Sequence, residues 1–164
     1  MHNTNCGAKP LIPNGSKEYG ELGIVVYTNI KTQIGDNLTG HHIPSTKYME
    51  KLQRELANNQ NTFNLSQEQI NSLKKWTKND VHTIMIEETK GAEAASRHAR
   101  TLTYKWKNAG DPPRLQKSPK LIFEEEIENL YEIYRQDGLL TPEVSAQIAR
   151  FKSITKYRFK PLFD

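Results

Sequence analysis

Two stretches of the chain, GIVVYTNI at 23–30 and VHTIMIEE at 81–88, are dense in β-branched and apolar residues and read as strands. A sheet that uses both has to close around everything between them, and that interval has a helical period. In STKYMEKLQRELANN, Tyr48, Leu52 and Leu56 fall on one helical face. Ser66 with Gln69 forms a capping-box signature ahead of Ile70, Leu73 and Trp76. The helical pair occupies about 46–78. Strands split by helices predict an α+β fold.

The flanks are simpler. Residues 1–22 carry Pro10, Pro13, Gly7, Gly15 and Gly20 with little periodicity, and read as an irregular arm. IGDNLTG, 34–40, is turn chemistry, with Asp36 as a turn residue. DPPRLQKSPK, 111–120, reads as a linker. Beyond it Phe123, Ile127, Leu130 and Tyr134 mark an amphipathic helix, and Glu124, Glu125, Glu126 and Glu128 sit toward its expected N-terminal end, where acids complement the helix dipole. Thr141 as cap and Pro142 at the first position open another helix, striped by Val144, Ile148, Phe151 and Ile154.

With 35% hydrophobic residues and a mean hydropathy of -0.77, the chain predicts a modest core and much polar surface. No run approaches the roughly 18 apolar residues of a membrane span, so no membrane partner is expected. The opening MHNTNCGAKPLIPNG has no signal-peptide pattern, so export would need a route without a cleaved signal. Cys6 is the sole cysteine, which excludes an internal disulfide and a cysteine-based zinc site. Net charge is +4, and much of the basicity falls in one segment: Arg97, Arg100, Lys105, Lys107, Arg114, Lys117 and Lys120, interleaved with Tyr104 and Trp106. That composition suits a polyphosphate backbone as well as a plain solvated surface. A second basic run, Arg150 to Lys160, follows near the C-terminus.

Five histidines are present, two of them adjacent in TGHHIPS: His41 and His42. Adjacent residues of a strand face opposite ways. Where a strand ends in an irregular segment both can lean toward one site, and Pro44 keeps Ile43 extended there. A neutral imidazole is a metal ligand, and it is also a base that titrates near neutrality. His98, flanked by Arg97 and Arg100, is the partner expected from another element, since guanidinium groups clamp phosphate oxygens. His82 reads as structural, and His2 lies in the arm.

GDNLTGHHIPS, a downstream strand and then RHARTLTY together resemble the GHH-type branch of the HNH/endonuclease VII nucleases over about residues 34–106. The resemblance implies a ββα-metal finger: residues 23–110 as nuclease core with the helical insert at 46–78, and 111–164 as a C-terminal helical extension packed on it. It also implies His41 and His98 as ligands of a divalent metal (Mg, Mn, Ni or Zn) and His42 as the base that activates water. Arg97 or Arg100 would steady the phosphate. Members are commonly toxin tips of bacterial effector systems, which implies DNA as substrate, a cognate immunity protein as partner, and action in a target cell's cytoplasm after specialised secretion. His98 lies 56 positions after His42, which makes the hairpin a split one. No fourth ligand is evident, although Asp36 and Glu87 are candidates. RNA as substrate, a nucleic-acid-binding module that does not cut, and a helical interaction domain are the other readings the residues leave open.

Overall fold

The computed structural model describes residues 9–14, 18–31, 36–109 (side chains to 105) and 116–164. It is an α+β fold with a three-stranded antiparallel sheet. The strands are β1 (Ile24–Val26), β2 (Leu38–His41) and β3 (His82–Glu87), and the spatial order is β1-β3-β2. The last strand in sequence is thus the central one, antiparallel to both neighbours, with Ile84 opposite Ile24 on one side and His41 on the other. β3 is buried from Thr83 to Glu87, as a strand covered on both faces must be. β2 differs from the sequence reading, which placed turn chemistry across 34–40. Leu38, Thr39 and Gly40 are extended because they pair with Glu87, Ile86 and Met85. At Gly40 a Cβ would sit 2.4 Å from Ile30 Cδ1, so a larger residue there would make the end of the Ile30 side chain move.

Between β2 and β3 run α1 (Thr46–Ala57) and α2 (Gln67–Lys74). Ser45 caps α1 by accepting from the Tyr48 N–H, and the Ser66–Gln69 capping box on α2 is complete. After β3 the chain makes a 3-10 turn at His98–Arg100 and then α3 (Leu102–Ala109). α4 (Pro119–Gln136), α5 (Pro142–Arg158) and the single turn α6 (Lys160–Phe163) complete the chain.

One hydrophobic cluster holds these elements together. Tyr48, Met49 and Leu52 of α1 meet Ile84 and Ile86 of β3, Phe123 and Leu130 of α4, and Ile148 and Phe151 of α5. Full burial of each large apolar side chain is worth about 1.5–3 kcal/mol. Phe163 stacks on Phe123 with ring centroids 4.6 Å apart, which fastens α6 to α4. Among the described residues no helix is long and apolar enough to cross a membrane.

α4 begins earlier than its apolar stripe suggests. Ser118 is its N-cap and Pro119 its first residue, so the end of the expected linker is helix. The glutamates therefore stand mid-helix, and none is in the first turn. Glu124 pairs with Lys152 at 2.8 Å, Glu125 takes Lys117 at 2.7 Å, and Glu126 is buried with Thr103 on Oε1. Glu124 and Glu126 thus tie α4 to α5 and α3, which replaces the expected dipole role.

Candidate active site at the end of strand β2

β2 stops at His41, and the backbone turns through Ile43 and Pro44 into the Ser45 cap of α1. Four residues thus separate the strand end from the helix start. They enclose a pocket of about 190 Å³ lined by His41, His42, Ser45, Thr46, Lys47 and, from the far side, His98. Other hollows among the described residues are larger, at about 250, 430 and 500 Å³, but none of these is lined by a histidine. Chemistry, not size, makes the imidazole pocket the candidate.

Each imidazole is held differently. His41 is 3% exposed, and its Nδ1 is buried with no hydrogen-bond partner. Burial, reinforced by His98 and His42, holds its pKa well below the ordinary imidazole value, so the ring is neutral with a lone pair to give. His42 packs against Tyr27, with centroids 4.7 Å apart, and more loosely against Trp76 at 6.3 Å. Its Nε2 lies 3.0 Å from the Lys78 carbonyl oxygen. A carbonyl only accepts, so Nε2 carries the hydrogen and Nδ1 of the neutral ring is the basic nitrogen. Burial lowers the His42 pKa, with the Lys78 carbonyl pulling the other way. His42 also faces a narrow cleft beside Trp76, His82 and Arg158.

His98 opens the 3-10 turn and meets His41 edge to face, with centroids 5.7 Å apart at 77°. Its Nδ1 pairs closely with Glu88 Oε2, and Tyr104 stands at its other edge, 5.6 Å away. A carboxylate on Nδ1 fixes the ring orientation and leaves Nε2 for a ligand. His82, taken as structural, pairs with Val26 at the start of β3.

The arginines lie elsewhere. Arg97 is 2% exposed, and all five of its donors are spent inside the protein. Nε and Nη2 donate to Glu21 at 2.7 and 2.6 Å, Nη1 to the Lys9 carbonyl and Asp137, and Nη2 also to the Pro10 carbonyl. It has no donor left for a phosphate, which corrects the expected clamp. Arg100 reaches the same Asp137 at 2.7 Å, as well as Gln136 and the Ile133 carbonyl, so it belongs to the end of α4.

Neither extra ligand candidate joins the pocket. Asp36 Oδ1 accepts the Leu38 N–H, as a turn aspartate does. Glu87 accepts the Arg97 and Thr89 backbone N–H groups and the Thr89 hydroxyl. Burial acts against its charge, but the hydrogen bonds from Thr89, Arg97 and Ser96 prevail and take its pKa from 4.5 to about 2. Of the remaining basic residues, Lys105 and Lys120 are exposed and Lys117 is paired with Glu125. The Lys107 side chain and Arg114 lie outside the described residues.

Among the described residues no group of three or more His, Cys, Asp or Glu side chains is arranged around a metal position. The orphaned Nδ1 of His41 and the facing His98 nevertheless bring two imidazoles to one place, a ligand type that suits a transition ion completed by other oxygens. Sequence reasoning missed Glu88, the Lys78 carbonyl and the N-terminus of α1. Only the last left a signal, the Ser-Thr-Lys directly after Pro44. Comparison of the chain with protein-family models, with curated proteins and with solved structures yields no match.

Proposed function

We propose that this chain is a metal-dependent nuclease that hydrolyses DNA phosphodiesters, with a split ββα core made of β2, β3 and the segment from His98 through α3. The observation that carries the reading is the convergence of three imidazoles on one pocket, one with an orphaned buried nitrogen and one with its tautomer fixed by a carbonyl. His42 Nδ1 takes the proton from the attacking water. His41 and His98 hold the divalent ion, which supplies Lewis-acid stabilisation of charge on the phosphate and the departing oxygen. Glu88 holds His98 in register. By its resemblance to effector nucleases, the chain acts as an antibacterial toxin. It works in the target cell's cytoplasm after specialised secretion, and is restrained by an immunity protein that covers the pocket.

The test is cleavage of supercoiled plasmid by purified protein in EDTA and in magnesium, manganese, nickel or zinc. Loss of supercoiled DNA with metal and its survival in EDTA is the expected result. Cutting of RNA alone would move the substrate while keeping the site. Salt-sensitive binding without turnover on either polymer would make the chain a binding module.

Glu88→Gln is expected to leave the thermal midpoint nearly unchanged and to weaken metal binding about 10- to 100-fold, the usual cost of losing a ligand's outer partner. Calorimetric titration with nickel or zinc reads this directly. Unaltered affinity would make the Glu88–His98 pair purely architectural.

A further inference from the structure

The second basic run of the sequence, Arg150 to Lys160, takes no part in the chemistry above, yet its end borders His42. Arg158, the last residue of α5, lines the same narrow cleft as His42, Trp76 and His82. Its Nη1 donates to the Asp80 carbonyl, and its guanidinium lies 5.3 Å from the centre of the Phe159 ring. A second cation comes from the loop before β3. The Lys78 ammonium stands 5.2 Å over the Tyr27 ring, on which His42 packs, and the Lys78 carbonyl is the one beside His42 Nε2. Beyond burial, the Lys78 ammonium also disfavours a proton on His42, so its field reaches the ring. Both cations are exposed, and among the described residues no carboxylate pairs with either. Asp80, in the same loop, accepts the Thr77 hydroxyl at 2.7 Å. Two cations without a counter-charge favour a polyanion over a neutral partner. Next to Arg158 in sequence is Tyr157, 86% exposed, so the core gains little from its ring. An aromatic ring kept in water beside cations suits an unpaired base, which stacks while charge holds the phosphates.

We propose that a nucleic-acid strand with unpaired bases lies across this face, its phosphates on Lys78 and Arg158 and a base stacked on Tyr157. The inference rests on the nuclease reading for its substrate, but its test does not. The face is distinct from the basic segment between Arg97 and Lys120, whose arginines are committed to Glu21 and Asp137. It leads the strand to His42 from the C-terminal end of α5. A duplex hides the faces of its bases inside the stack, so this surface selects single strands or locally opened ones.

Binding of a labelled oligothymidylate, and of a duplex of the same length, is measured by fluorescence anisotropy in EDTA, where no cleavage intervenes. The salt concentration is varied, and thermal melts verify folding. Wild type is expected to bind the single strand more tightly than the duplex. Lys78→Gln with Arg158→Gln is expected to weaken single-strand binding about tenfold or more. The same pair flattens the slope of log affinity against log salt by about 1.4, the share of two phosphate contacts. Tyr157→Ala, a change at an exposed position, is expected to weaken binding about fivefold or more with the slope unchanged. Lys90→Gln, beyond the opposite end of β3, controls for general charge and should match wild type. Wild-type affinity in Tyr157→Ala, a wild-type slope in the folded double variant, a duplex bound as tightly as the single strand, or no binding at all overturns the proposal even if the protein cuts plasmid. Binding that depends on Tyr157 and both cations, in a protein that cuts no nucleic acid, keeps the face and removes the nuclease.

Discussion

Supercoiled plasmid is expected to persist about 100- to 10,000-fold longer with His42→Ala than with wild-type protein, the usual weight of a positioned general base. The ring is fixed on three sides, by Tyr27, by Trp76 and by the Lys78 carbonyl, so its Nδ1 is aimed before substrate arrives. Alanine also empties that space and leaves the carbonyl without its donor, so some loss of stability will accompany the loss of rate. His42→Gln separates the two effects. Its amide can still donate to Lys78, but it has no basic nitrogen. The expected pattern is equal loss of cleavage in both variants, a melt nearer wild type in the glutamine variant, and nickel binding retained in both. A glutamine variant that cuts at the wild-type rate would remove His42 from the chemistry.

The second large effect concerns folding. Arg97→Met is expected to cost about 3–5 kcal/mol, because it strips the partner from a carboxylate with 0% side-chain exposure, Glu21. Against the roughly 5–15 kcal/mol that a domain has in total, that is a large share of the stability. Urea titration measures this, and Arg97→Met with Glu21→Gln should recover part of it, since the second change removes the stranded charge. A phosphate clamp would behave oppositely, with lost cleavage and an unchanged urea midpoint. Glu87, which accepts the Arg97 N–H, adds a pH signature. Its folded pKa is depressed to about 2 from 4.5, so its contribution is complete above 4.5 and lost as pH falls toward 2.

The helical periods and caps of the chain were legible because they are local. Ser66–Gln69 and Thr141–Pro142 announce helices whatever surrounds them. β2 was not legible, because nothing in DNLTG favours a strand until β3 lies beside it. The histidine pair was legible as a candidate site from its residue types. Its neighbours in the site were not, since Glu88 and the Lys78 carbonyl reach it only through the fold. Arg97 misled because adjacency to His98 suggested a shared site. In a 3-10 turn consecutive side chains diverge by a third of a revolution, while positions three apart eclipse. His98 therefore faces the pocket as Arg97 and Arg100 turn together to Asp137.

The placement of β3 between two earlier strands bears on when the site is assembled during synthesis. A chain emerging from the ribosome displays β1 and then β2 with no strand to pair with, because their common partner is synthesised after both. The strand that ends in His41 pairs with β3, and the turn that carries His98 is tied through Asp137 to the far end of α4. Nascent chains that stop short of residue 137 thus lack part of the frame around the site. On this topology the site is completed late in translation, after every strand that frames it has been made.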